Sequence, residues 1–237
     1  MEHFVFVRRN GRSVMWSSAK GEKNTQPRRT VLLEKGFELF SSKGIEAIGM
    51  RDVTKVVGCG STSAYRYFGS KAEFVVAVAT WKWEQFQDNY RKLKPKARSE
   101  DMTAAEFFEF FLDSFLVLYR DNMAMLRFNQ FFNVFVLSEH IDTNTLKPYQ
   151  EMIGRFKERF HEMYMRAQQD KTLRTDEPED RMFSRSLHLM LAAVTRYAVG
   201  LVYVPSDGFD AMEELRYLKE LILEDYKIKQ VAKKQRV

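Results

Sequence analysis

Residues 50–71 read MRDVTKVVGCGSTSAYRYFGSK, and this stretch decides the fold. A short helix is expected from Met50 to Val57, with Val53, Val56 and Val57 as its apolar face. Gly58-Cys59-Gly60 breaks it, because glycine adopts backbone conformations that other residues resist. A second short helix is expected from Ser61 to about Phe68, ended by Gly69-Ser70. Ser70 then caps a long helix from Lys71 to about Leu93, and Glu73 sits in its first turn, where the helix dipole favours negative charge. Two short helices joined by a tight glycine turn, the second polar and rich in small residues, make a helix-turn-helix. In that motif the first helix crosses a DNA backbone and the second enters the major groove. Ser61, Thr62, Ser63, Tyr65, Arg66 and Tyr67 carry hydrogen-bonding groups suited to base edges and phosphates. Ala64 keeps the profile of that helix low and suits contact with a thymine methyl group.

Upstream, residues 27–43 read as a helix with Pro27 in its first turn and Val31, Leu32, Leu39 and Phe40 on one face. Gly36 lies close to that face. A glycine inside a helix costs about 1 kcal/mol against alanine, so close approach by another helix is the expected reason for it. Gly44 ends the helix. Residues 1–24 are basic and show no sustained period; they read as an arm, either one that touches DNA phosphates or a loose terminus. Downstream, Lys94 to Asp101 reads as a linker. Helices are expected at about 103–120, 123–138, 148–170, 178–202 and 209–230, with breaks at 172–178 and 205–208 and a basic tail at 233–236. No strand-like alternation and no internal repeat occurs, so the expected class is all-α: an N-terminal three-helix unit followed by a larger helical bundle.

Charge is divided along the chain in the same way. The 237 residues carry a net +6. Residues 1–71 hold 13 Lys and Arg against 6 Asp and Glu, whereas residues 72–237 hold 25 against 26. A basic N-terminal third on a near-neutral body suits a polyanion partner at one end only. The single cysteine, Cys59, forbids an intramolecular disulfide and fits a reducing cytoplasm, the expected location. No apolar run reaches 18 residues, which excludes a membrane helix. The chain carries no phosphate loop and no nucleophile triad. Glu158 and His161 stand at Glu-x-x-His spacing, but the second such pair that a di-metal bundle needs does not occur. No cofactor, no metal and no enzymatic activity are expected; a helical-bundle metal enzyme and a ligand-blind helical adaptor are the alternatives.

From Arg28 to Phe74 the chain resembles the DNA-binding domain of the TetR/AcrR family of transcriptional regulators. The resemblance is carried by Leu39-Phe40 with Gly44 four residues on, by Val53-Thr54 and Val57-Gly58 in the second helix and its turn, and by Tyr65-Arg66-Tyr67-Phe68 followed by Ser70-Lys71. Three positions depart from the family pattern. Gly49 and Gly60 stand where the family has capping Ser or Thr, and Ala64 stands where it has Leu. The resemblance implies DNA contacts for Arg28, Thr62, Ser63, Tyr65, Tyr67 and Lys71, with Lys71 and Tyr67 on phosphate. Arg66 and Thr62 are the candidates for base contact. It also implies a homodimer on a palindromic operator in double-stranded DNA, and an effector-binding body. The expected division is a basic arm at 1–24, a DNA-binding domain at 25–71, and a ligand-binding and dimerisation domain at 72–237.

Nine of the twenty phenylalanines fall between Phe107 and Phe135. Phe107, Phe111 and Phe115, and Phe128, Phe131, Phe132 and Phe135, recur at helical spacing. On the residues alone this is an aromatic core. With the resemblance it reads as the lining of a pocket for a small apolar or aromatic ligand, completed by Met125 and Met190, with His161, Tyr164, Asn129, Gln130, Asn133 and His188 as polar candidates. Leu187, Met190, Leu191, Val194 and Ala198, and Leu215, Leu218, Leu221, Ile222 and Tyr226, are the apolar faces expected to pair in a dimer. Repressor and activator both fit these residues; repression is usual in the family.

Overall fold

The computed structural model describes residues 25–93, 102–203 and 208–228. The arm at 1–24, the linker at 94–101, most of the break at 205–208 and the tail at 233–236 lie outside the described residues. Among the described residues nine helices run in the order α1 Thr25–Lys43, α2 Met50–Val57, α3 Ser61–Phe68, α4 Lys71–Leu93, α5 Ala104–Asp121, α6 Met123–Ser138, α7 Thr143–Asp170, α8 Glu179–Val199 and α9 Ala211–Tyr226. The class is all-α as expected; the only ladder pairing among the described residues is an isolated bridge between Leu173 and Lys227.

Local chemistry explains the limits. Ser70 Oγ accepts from the backbone N–H of Glu73 at 3.1 Å, which starts α4. Thr103 caps α5 by accepting from the N–H of Glu106, whose carboxylate takes the Thr103 N–H at 2.7 Å. The expected start of α7 at residue 148 is corrected to Thr143. Asp142 Oδ1 accepts from the N–H groups of Asn144 and Thr145 at 2.9 and 3.1 Å and nucleates the helix one turn earlier. Pro148 then sits inside the helix in its second turn, where it lacks the N–H that would bond Asn144 O.

The buried residues form two clusters. The first joins Leu32, Leu33 and Phe40 of α1, Met50 and Val53 of α2, Ala64 and Phe68 of α3, and Phe74, Val75 and Val78 of α4; Phe128, Phe132 and Phe135 of α6 complete it. The second joins Trp83 and Phe86 of α4 with α5, the start of α6, and α7, α8 and α9. Helices α4 and α6 therefore belong to both. Two expected faces are corrected here. Val31 and Val56 are exposed, because Leu33 with Gly36 in α1, and Met50 with Thr54 in α2, turn inward instead. Most of the apolar faces expected to pair in a dimer, including Met190, Val194, Leu215, Ile222 and Tyr226, are buried within the chain itself. The physical reason is that a bundle of this length spends its strongest apolar stripes on its own core.

Gly36 is where α1 crosses α4. A Cβ there would stand 2.5 Å from Phe74 Cζ and 3.2 Å from Val78 Cγ2. Phe74 has no room to yield, since it is fully buried with ring centroids 5.7 Å from Phe40 and 4.7 Å from Phe68. At the far end, Lys219 of α9 is nearly enclosed and bonds Glu109 and Asp113 of α5 at 3.0 and 2.9 Å. Burial opposes its charge, but the hydrogen bonds of Asp113 and Glu109 outweigh this and hold its ammonium above the ordinary lysine value.

Gly36→Ala is expected to lower stability by about 1–3 kcal/mol, the cost of overpacking exceeding the gain in helix propensity, and denaturant unfolding measures it. Lys219→Ala is expected to cost about 1–3 kcal/mol by leaving two carboxylates facing each other, and Lys219→Met less, because its methylenes still pack.

Candidate nucleic-acid interface

Helix α3 buries Ala64 and Phe68 against the first cluster. Its opposite side therefore presents Thr62, Tyr65 and Arg66, all exposed and spaced i, i+3, i+4, in one stripe. Ser61 and Ser63 are half-buried at the edge of that stripe. Tyr67 is half-buried, its ring edge-on to Phe68 at 6.2 Å and beneath the Arg66 guanidinium at 5.8 Å. Lys71, in the first turn of α4, is half-buried with its Nζ 5.8 Å from the Phe135 ring. Arg28 is exposed in the first turns of α1. Arg29 was missing from the expected set; its guanidinium lies 5.2 Å from the Phe68 ring, pinning the start of α1 to the end of α3. An arginine over a distant aromatic leaves no local signal, so periodicity did not reveal it.

The turn between α2 and α3 is built by Gly58. It is left-handed at φ 71°, its N–H reaches Lys55 O, and Cys59 N donates to Thr54 O at 3.0 Å, closing the end of α2. Gly60 caps α3 without a side-chain bond. Ser61 does not supply a cap; its Oγ lies 3.4 Å from Thr54 Oγ1 and ties the two helices together. At the head of α2, Gly49 donates its N–H to Asp52 Oδ2 at 2.8 Å. Cys59 is half-buried in the turn.

These features place a short polar helix, held by a packed three-helix unit, with its hydrogen-bonding side chains outward and arginine and lysine beside them. Residues 32–78 match the family model described as bacterial regulatory proteins, tetR family. Over these residues the chain is similar to the DNA-binding domain of TetR-family transcriptional regulators. No curated protein matches it. Solved structures agree in fold along most of its length. The ketosteroid transcriptional regulator KstR2 of Mycobacterium tuberculosis is 17% identical, covers 85% of this chain and 96% of its own, and has a TM-score of 0.58. A transcriptional regulator from Saccharomonospora viridis in complex with choline is 14% identical over 86% of this chain and 100% of its own, with a TM-score of 0.66. FadR from Bacillus subtilis in complex with stearoyl-CoA is 13% identical over 82% and 97%, with a TM-score of 0.60.

The body of the chain divides the aromatics that share helical spacing in the sequence. Phe128, Phe132 and Phe135 pack into the first cluster; the Phe128 ring stacks on Phe40 at 6.4 Å and meets Phe37 edge-on at 5.6 Å. Phe131 is 37% exposed. Phe107, Phe111 and Phe115 belong to the second cluster, where Phe111 meets Phe115 and Phe160 edge-on at 5.5 and 5.4 Å. Met190 is fully buried there. The Tyr164 hydroxyl donates to Glu177 O at 2.7 Å, a structural bond. His161 is half-exposed and pairs with Glu179 at 2.8 Å. Among the described residues no group of three or more His, Cys, Asp or Glu stands together as a metal site, and no helix is long and apolar enough to cross a membrane.

Gly58→Ala is expected to lower stability by about 1 kcal/mol. No atom lies within 4 Å of the added Cβ, so the loss comes from the backbone alone. Thermal unfolding checks this, with Gly58→Asn as the control: asparagine tolerates the left-handed conformation, so this second variant is expected to lose less than the alanine one.

Proposed function

We propose that the protein is a ligand-responsive repressor that binds a near-palindromic operator as a homodimer in the cytoplasm and leaves it when a small, largely apolar effector binds. The observation that carries this reading is the exposed stripe Thr62, Tyr65 and Arg66 on the second helix of the helix-turn-helix. In each half-site α3 enters the major groove, Thr62 and Arg66 meet base edges, and Ser61, Ser63, Tyr65 and Tyr67 bond nearby bases and phosphates. Lys71 binds phosphate at the N-terminus of α4, where the helix dipole also favours an anion. Arg28 adds a phosphate contact from α1.

In this proposal residues 25–71 read DNA, and residues 72–237 bind the effector and dimerise. Leu189 of α8 with Tyr217 and Leu221 of α9, three of the apolar residues that the monomer leaves exposed on its last two helices, are the dimer surface. The ring-rich helices α5 and α6 form the apolar framework that shifts when the effector binds. That shift changes the separation of the two α3 helices, and the effector acts only in so far as it prefers the spacing that does not fit DNA. The choline and stearoyl-CoA complexes of the structural relatives support an effector site in a body of this shape.

Fluorescence anisotropy with DNA from upstream of the protein's own gene, against excess nonspecific DNA, tests the reading. Arg66→Ala is expected to weaken binding by about 1–3 kcal/mol and to relax specificity at one base position. Lys71→Ala is expected to weaken all sequences alike and to reduce the salt slope by about 1. Binding that neither substitution changes, or that no genomic fragment survives competition, would remove the DNA-reading role.

A further inference from the structure

Between α6 and α8 lies a groove of about 510 Å³, within the size range of small-molecule sites. Asn129 of α6 and His188, Thr195 and Arg196 of α8 are among its polar lining, Leu191 and Val199 among its apolar lining, and no Asp or Glu takes part. Thr195 is only 8% exposed, and its Oγ1 has no hydrogen-bond partner among the described residues. This is unusual on two counts. Buried hydroxyls are nearly always paired, and a helical threonine ordinarily bonds the carbonyl four residues back. Thr80 of α4 does so, to Val76 O at 2.9 Å. Asn129 beside it is 3% exposed. Arg196 gives one nitrogen to Gly200 O at 2.6 Å and makes no ion pair among the described residues, whereas Arg174 and Arg185 each hold a carboxylate. The groove thus presents an exposed guanidinium with apolar surface alongside and no negative charge, and an unpaired hydroxyl and an amide lie buried between α6 and α8, to be reached as a ligand parts the two helices.

We propose that this groove binds a small monocarboxylate with a compact apolar body, its carboxylate accepting from the Arg196 guanidinium and the Thr195 hydroxyl and its apolar part lying against Leu191 and Val199. The role of that ligand as effector rests on the ligand response proposed above. The fold supplies a route for it. Asn129 faces the groove, while the adjacent Phe128 on the same helix stacks on Phe40 and meets Phe37 of α1. A ligand that parts α6 from α8 therefore moves the helix that closes the core of the DNA-binding unit, without passing through α4.

Titration calorimetry of the full chain with hexanoate and benzoate, and with hexanol and benzyl alcohol as uncharged controls, tests the site. At least one acid is expected to bind with one site per chain, and its alcohol to bind at least tenfold more weakly. Arg196→Gln is expected to raise Kd about tenfold, the loss of a charge-assisted hydrogen bond. Thr195→Val is expected to raise Kd several-fold while the unliganded protein melts at the same or a higher temperature, because the substitution removes an unpaired buried hydroxyl. A merely structural Thr195 would instead lower the melting temperature and leave binding alone. Failure of both acids to bind, including through closure of the groove by a second copy, or binding indifferent to both substitutions, overturns the site. Operator affinity measured in the same samples separates the two proposals. Acid binding that leaves operator affinity unchanged keeps the site and removes its effector role, and operator release by a compound whose binding ignores Arg196 removes the site and keeps the ligand response.

Discussion

The architecture depends on one aromatic junction. Phe40 of α1 meets Phe74 of α4 at 5.7 Å and Phe128 of α6 at 6.4 Å, and Phe74 in turn meets Phe68 of α3 at 4.7 Å. Rings in offset or tilted contact gain more than their buried area alone gives, and they hold their relative orientation. Four helices are fixed to one another at this point, one of them the helix proposed to face DNA. The glycine at 36 is the geometric condition for it, because only a residue without a Cβ lets α1 come down onto the Phe74 ring.

Legibility in the sequence followed the range of the interaction. The limits of α2, α3, α4 and α6 could be read because glycines, a serine cap and local apolar spacing set them, and all of these act within a turn or two. The start of α7 was misplaced because Pro148 is a louder signal than Asp142, although the aspartate does the capping. The polar stripe Thr62, Tyr65 and Arg66 of α3 was legible from residue types, but Ala64, expected to meet a thymine methyl group, is buried instead. The register of that helix came from which residues are buried, and Ala64, too small to register in a periodic pattern, is one of them.

The phenylalanines show where one-dimensional reading stops. Their density between residues 107 and 135 was plain, and spacing assigned them correctly to two helices. Spacing carries no information about which neighbour a face meets. The α6 set turned to the N-terminal unit and the α5 set to the opposite cluster, so residues that look like one lining are parts of two cores. Likewise, Thr195 and Asn129 carry no periodic signature. Their significance comes from burial beside a groove, a property only the folded chain has.

Because α6 contributes Phe128, Phe132 and Phe135 to the core of the N-terminal unit, that unit is not a detachable head. A chimera that joins these first four helices to the body of another regulator would inherit a foreign α6 against Phe40 and Phe74. With α3 as the proposed reader of DNA, exchange of specificity between relatives has two workable scales. One is the outward stripe of α3, which lies exposed on the side away from the core. The other is the N-terminal unit transferred together with the three rings that close it. Cuts between those scales divide a single packed core.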